Sequence, residues 1–123
     1  MRLSVDEIYV MHSEICKTLA NPKRLEILIA LQAGEVSVAD LVKQLRLPKA
    51  NVSQHLGVLR ARGVVKTRRD GLTVYYRIAS PKIIRACNLM REVLMEQVQE
   101  RAQLTRKWNQ AHRSSGRPAL QPL

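Results

Sequence analysis

The chain has 123 residues, the length of one ordinary domain, and 46% of them are apolar, enough for one packed core; aromatics make up only 3% with no Phe, so that core must come from aliphatic side chains that suit helices. The formal net charge is +11, and residues 43–77 concentrate it: nine bases (Lys43, Arg46, Lys49, Arg60, Arg62, Lys66, Arg68, Arg69, Arg77) stand against one acid, Asp70, as a phosphate-binding surface requires. No apolar run reaches the roughly 18 residues of a membrane span and the N-terminus lacks the pattern of a secretory signal, so the expected partner is nucleic acid rather than membrane and the expected compartment is the reducing cytoplasm.

Ser4-Val5-Asp6-Glu7 reads as a capping box, and Ile8, Met11, Ile15 and Leu19 follow at helical spacing, predicting a first helix over residues 5–19. Asn21-Pro22 restarts the chain, with Asn as cap and Pro at the first helical position; this second helix carries Leu25, Leu28, Ile29 and Leu31 and ends at Gly34. Ser37 caps a short third helix with Asp40 in its first turn and Val38, Leu41, Val42 and Leu45 on its apolar face. Pro48 disfavours a helical Leu47, so Leu47-Pro48 makes a turn. A fourth helix then runs over residues 49–62, with Val52, Leu56 and Leu59 facing inward and Gly63 closing it. Two helices joined by a tight turn, the second polar on one face, form a helix-turn-helix pattern. Next come a strand over residues 64–69, a turn at Asp70-Gly71 and a second strand over residues 72–78. This hairpin, a wing, carries Lys66, Arg68, Arg69 and Arg77. Ser80-Pro81 opens a last helix running to about Trp108. Ile83, Met90, Leu94 and Val98 form one apolar stripe on it, and Ile84, Leu89, Val93 and Met95 a second, more than a single small domain can cover. The fold class is thus mostly α with a small β-hairpin, in the order α-α-α-α-β-β-α. Residues 109–123 read as a basic, disordered tail.

Three segments carry a resemblance to a known family. They are Leu19-Ala20-Asn21-Pro22-Lys23-Arg24-Leu25-Glu26-Ile27-Leu28, then Val52-Ser53-Gln54-His55-Leu56-Gly57-Val58-Leu59-Arg60-Ala61-Arg62-Gly63-Val64-Val65, then Arg69-Asp70-Gly71-Leu72-Thr73-Val74-Tyr75-Tyr76-Arg77-Ile78. In this order and spacing the chain resembles the ArsR/SmtB family of bacterial metal- and thiol-responsive repressors, over about residues 5–100. The resemblance implies a winged helix-turn-helix that dimerises through its first and last helices, binds a palindromic operator on double-stranded DNA and leaves it when an inducer binds. It makes residues 1–108 a DNA-binding and dimerisation domain.

A recognition helix enters the major groove by its N-terminal end. The outward residues there are Lys49, Asn51, Ser53 and Gln54; Asn and Gln can pair with adenine, Ser bonds base or phosphate, and Lys49 suits phosphate. Arg60 farther along the helix, and Arg68 and Arg69 on the wing, complete the expected DNA-contacting set. Tyr75 and Tyr76 alternate on a strand, so at most one faces DNA. His55 sits at the edge of the buried face and reads as structural.

The family's Cys-x-Cys metal site would fall at residues 36–40, where there is no cysteine. Its zinc site on the last helix would need His, whereas Glu92, Glu96 and Glu100 offer only carboxylates, so neither a metal nor a cofactor is expected. Cys16 on the first helix and Cys87 on the last match no zinc-finger spacing. They resemble the family's persulfide- and redox-sensing branch, although in that branch the upstream cysteine lies on the helix corresponding to residues 25–33. Three readings of these thiols stand side by side: a thiol switch, a site for a soft metal or arsenite with His12 as a third ligand, and inert core cysteines. No nucleophile–base pair, Gly-rich phosphate loop or metal cluster suggests an enzyme. The rival classes are a winged-helix protein-interaction module and a basic architectural protein without sequence preference.

Overall fold

The computed structural model describes residues 2–113, 116 and 118–121. Helix α1, Val5–Leu19, begins with the expected capping box: Glu7 N–H donates to Ser4 Oγ at 3.1 Å and Ser4 N–H to Glu7 Oε2 at 2.8 Å, so two end-of-helix donors are satisfied reciprocally. Asn21 caps α2, Pro22–Ala30, accepting from the N–H groups of Lys23 and Arg24. Arg24 reaches back, and its Nε donates to the carbonyl of Thr18 in the last turn of α1. Ser37 caps α3, Val38–Leu45, and a three-residue turn leads to α4, Lys49–Ala61. Arg46 makes that turn in a left-handed conformation, φ 54°.

The second helix of this pair ends in a defined stop. Gly63 N–H donates to the Arg60 carbonyl and Val64 N–H to the Leu59 carbonyl, each at 3.0 Å, with Gly63 at φ +71°. This pair of bonds is the Schellman arrangement, which a residue with a Cβ would strain. It turns the chain directly into β2, Val65–Asp70, which pairs antiparallel with β3, Thr73–Ile78. A strand absent from the sequence reading, β1 (Val36–Ser37), pairs with the other side of β3, giving the order β1-β3-β2. Two residues are too few for an alternation pattern, and Ser37 serves at once as strand partner and helix cap. The hairpin register also corrects the expected turn. Asp70 pairs with Thr73, so the loop is Gly71-Leu72, one residue later than Asp70-Gly71. Gly71 at φ +60° followed by a non-Gly residue fits the turn that needs positive φ only at its first loop position.

The core is the expected aliphatic cluster: Ile27 and Leu28 of α2 with Leu31 at its C-cap, Leu41 of α3, Val52, Leu56 and Leu59 of α4, and Val64 and Val65 entering the sheet are all essentially inaccessible. On α2 the buried stripe runs through Ile27, which the periodicity reading passed over, while Leu25 is exposed. The chain leaves α1's apolar stripe uncovered: Ile8, Met11 and Ile15 are 51%, 52% and 42% exposed, and Thr18 is its buried residue.

The last helix, α5, is Pro81–Ala111, three residues longer than expected, with Ser80 Oγ accepting from Lys82 N–H at its start. The chain divides into two compact units, Met1–Arg85 and Ala86–Leu123, with the boundary inside α5. In the second unit Leu89, Met90, Val93, Leu94 and Met95 are exposed. Of the segment expected to be a tail, residues 114, 115, 117, 122 and 123 lie outside the described residues. Within the described part, Leu120 N–H donates to Asn109 Oδ1 at 3.0 Å, and the rings of Trp108 and His112 stack 3.7 Å apart.

Candidate nucleic-acid interface

Helix α4 offers a polar edge to solvent because its inward positions are claimed by Val52, Leu56 and Leu59, spaced at four and three residues. Lys49, Asn51, Ser53 and Gln54 are all exposed in its first two turns, and Arg60 is exposed on the same flank as Ser53, two turns farther on. The N-terminus itself is also open. Where α1, α2 and α3 each have a side-chain cap, α4 starts after Pro48, which has none to give. Asn51 and Val52 N–H reach the Pro48 carbonyl, and the amides of Lys49 and Ala50 face no acceptor among the described residues. Positive helix-end potential and free donors therefore coincide with the polar side chains. Gly57 lies between Ser53 and Arg60 on this outward side, and a Cβ there would meet nothing within 4 Å. His55 is half-buried, at the edge of the core face as expected.

The two faces of the wing have different characters. Val65, Thr67 and Arg69 of β2 share one face with Ile78, Tyr76 and Val74 of β3, and this face runs from the core out to Arg69. Tyr76, Val74 and Thr73 line an open groove with Lys49 and Ser53 of α4 and Lys43 of α3. Of the two tyrosines, Tyr76 therefore lies beside α4. The opposite face holds Lys66, Arg68 and Arg77, with Tyr75. Leu72 at the tip is fully exposed.

Arg68 and Arg69, paired in the sequence reading, have different surroundings. Arg69 is exposed and makes no ion pair among the described residues. Arg68 is occupied. Its Nε lies 3.1 Å from each carboxylate oxygen of Glu35 and its Nη2 2.8 Å from Glu35 Oε1, while its guanidinium carbon sits 4.6 Å from the Tyr75 ring centre. The hydrogen bonds from Arg68 hold the Glu35 carboxyl below the usual carboxylate range, with the charges of Arg68 and Arg77 adding to them; Glu35 in turn pushes Arg68 up. Glu35 was missed by the sequence reading. It lies 33 residues from Arg68, and only the pairing of the two-residue β1 with β3 brings them together.

Cys16 is exposed on α1 and Cys87 half-buried on α5, and both are free thiols. Burial pushes the Cys87 thiol up, with the Arg91 charge opposing it. His12, one helical turn from Cys16, is exposed. Near the same end of α1, Arg62 Nη1 donates to Glu14 Oε2 at 2.6 Å, joining the end of α4 to α1.

Comparison with known proteins matches this geometry to a family. The model of bacterial regulatory proteins of the arsR family matches residues 21–67, from the cap of α2 through the recognition helix into the wing. Rv0081, an uncharacterized HTH-type transcriptional regulator of Mycobacterium tuberculosis, is 40% identical over 97 residues, which cover 78% of this chain and 85% of that protein. The chain belongs to the ArsR family. As in that family, it is a transcriptional regulator with a winged helix-turn-helix and not an enzyme. The Rv0081 crystal structure superposes with a TM-score of 0.71 at 41% identity, covering 77% of this chain and 96% of that one. A second neighbour, Mb0332 of Mycobacterium bovis, is described as a homodimeric winged helix-turn-helix DNA-binding domain; it matches with a TM-score of 0.70 at 30% identity over 80% of this chain and 93% of that one. The transcriptional repressor BigR of Xylella fastidiosa matches with a TM-score of 0.62 at 32% identity, over 74% and 96% of the two chains.

Proposed function

We propose that the protein is a dimeric, sequence-specific repressor that binds a palindromic operator and is released by an inducer. The observation that carries this reading is the uncapped, polar N-terminal half of α4, with Lys49, Asn51, Ser53 and Gln54 exposed beside a basic wing. Ser53 and Gln54 read base edges, Lys49 and Arg60 hold phosphates on the same flank, and Arg69 extends the contact along the wing. The uncovered apolar side chains of α1 and of α5 support dimerisation through those helices, as does the homodimeric neighbour. Two copies then present two recognition helices, whose spacing must match one turn of DNA.

For the inducer, the reading favoured by exposure is a thiol switch: neither Cys16 nor Cys87 belongs to the inaccessible core, which weighs against inert packing cysteines. Cys16, the more exposed, meets the oxidant first. An organic disulfide is reduced to two thiols as a Cys16–Cys87 disulfide forms, within or between subunits. The bond shifts the helices that carry it and with them the spacing of the recognition helices. A mismatch costing about 3 kcal/mol weakens binding roughly 100-fold.

The test is fluorescence anisotropy with the DNA upstream of the protein's own coding region, using reduced protein and protein treated with an organic disulfide or persulfide. Tight binding by the reduced form alone is expected. Cys87→Ser should bind equally well under both conditions; release of that variant by oxidant would contradict the switch. Ser53→Ala and Gln54→Ala should each weaken operator binding by about 1–3 kcal/mol and leave non-specific binding unchanged. Equal weakening on both DNAs would remove them from base readout.

A further inference from the structure

Arg68 occupies the point at which the sheet narrows, and Glu35 reaches it from the opposite end of β1. Strand β1 contacts β3 only at Tyr75 and Tyr76, so toward the tip the sheet has one strand fewer beyond Arg68 and Tyr75. From there residues 69–74 project as a two-stranded ribbon, and an isolated two-stranded hairpin is marginally stable and free to change direction. Glu35 immediately precedes β1, Tyr75 lies on the middle strand and Arg68 on the far one. The Glu35–Arg68 pair therefore spans the full width of the sheet, with the Tyr75 ring beneath the guanidinium. Its other end is anchored in the helix-turn-helix, because Ser37, two residues after Glu35, caps α3.

This arrangement makes Arg68 a poor partner for phosphate. Two of its three nitrogens donate to Glu35, and the third lies 4.0 Å from Asp70. One cation faces two carboxylates, whereas Arg69, the next residue, points to the opposite face with no ion pair among the described residues. The hydrogen bonds that lower the Glu35 carboxyl keep the pair ionised at neutral pH.

We propose that Glu35 and Arg68 are positioning residues for DNA recognition: clamped over Tyr75, they fix the direction in which the wing leaves the recognition helix, and Arg68 makes no phosphate contact of its own. The proposal rests on the DNA-binding reading above. It assigns the wing's phosphate contact to Arg69.

The two roles open to Arg68 predict opposite results. Operators are selected from a random duplex pool with wild-type protein, and anisotropy is then followed across a salt series for Glu35→Gln, Arg68→Ala, the double variant and Arg69→Ala. With positioning, Glu35→Gln weakens binding roughly 2- to 30-fold even though it makes the protein more positive. Arg68→Ala does the same, the double variant is no worse than either single one, and all three keep the wild-type slope of log affinity against log salt. Arg69→Ala instead makes the slope shallower by about 0.9 for each phosphate that its guanidinium neutralises in the wild type. On a duplex trimmed to the base pairs under the recognition helices, the weakening by Glu35→Gln disappears, which a general shortage of folded protein would not produce. Tighter binding by Glu35→Gln, or a shallower slope for Arg68→Ala, would overturn the proposal and make Arg68 a masked phosphate contact. Unchanged binding by both variants would overturn it as well. If the wild-type protein selects no duplex at all, the DNA-binding reading itself fails and takes this one with it.

Discussion

At the scale of single residues, the outward side of α4 has one position where local stability and packing disagree. Gly57 sits inside a helix, where glycine is worse than alanine by about 0.5–1 kcal/mol, yet no side chain of the protein stands in the way of a Cβ. Gly57→Ala should therefore raise stability by about that amount in a denaturant titration. If DNA comes as close to this face as Ser53 and Arg60 imply, the same variant should bind the operator more weakly. Glu35 gives a second residue-level expectation. Its folded carboxyl titrates below its unfolded value, so the stabilisation from the Arg68 pair is fully present above the unfolded value and is lost as pH falls through the lower folded one. A carboxyl-carbon NMR titration should place the Glu35 midpoint below that of a model glutamate, and Arg68→Ala should move it back up. Among the candidate contact residues, those on α4 were legible in the sequence because a helix places side chains by simple periodicity: once Val52, Leu56 and Leu59 face inward, Ser53 and Gln54 must face out. Arg68 was legible as a wing residue but not as an occupied one. Its partner depends on which strand lies beside which, and nothing local to Glu35 encodes that.

At the scale of elements, caps and stops were the readable features. Ser4, Asn21 and Ser37 each accept the helix-end N–H groups that their type suggests, and Gly63 takes the positive φ that ends α4. Gly63→Ala should destabilise the protein by about 1–2 kcal/mol in thermal or denaturant unfolding, because a Cβ is disfavoured in the left-handed region. Unchanged stability would mean that the Schellman stop is not what ends the helix. The hairpin was harder to read. Asp70-Gly71 is a favourable turn dipeptide, but Gly71-Leu72 also supplies glycine at a position needing positive φ, and the cross-strand register decides between them. A shift of one residue in the loop matters here, because it decides whether Arg68 or Lys66 stands directly opposite Tyr75. Strand β1 was hidden for a different reason: a two-residue strand has no alternation of its own and exists because β3 is there to pair with it.

At the scale of the whole molecule, the apolar side chains that the chain leaves open are as informative as those it buries. Ile8, Met11 and Ile15 on α1 follow a helical spacing and stay about half exposed, and the pattern is visible in the sequence. Ile8→Glu should lower the dimer fraction in sedimentation velocity and weaken operator binding with it, since a monomer presents one recognition helix instead of two; an unaltered dimer would move the interface away from α1. The inducer is the least readable part, because a thiol's chemistry depends on neighbours that sequence spacing does not give. The central claim is that the exposed face of α4 and the wing form a DNA-reading surface. It is tested most directly by measuring the affinity of the reduced protein for a selected duplex and for a scrambled one of equal length, across a salt series. The account predicts a clear preference for the selected duplex and a log–log slope of roughly −5 to −9, as for 6–10 phosphate contacts by a dimer. Equal affinity for the two duplexes, with a slope near zero, would contradict it.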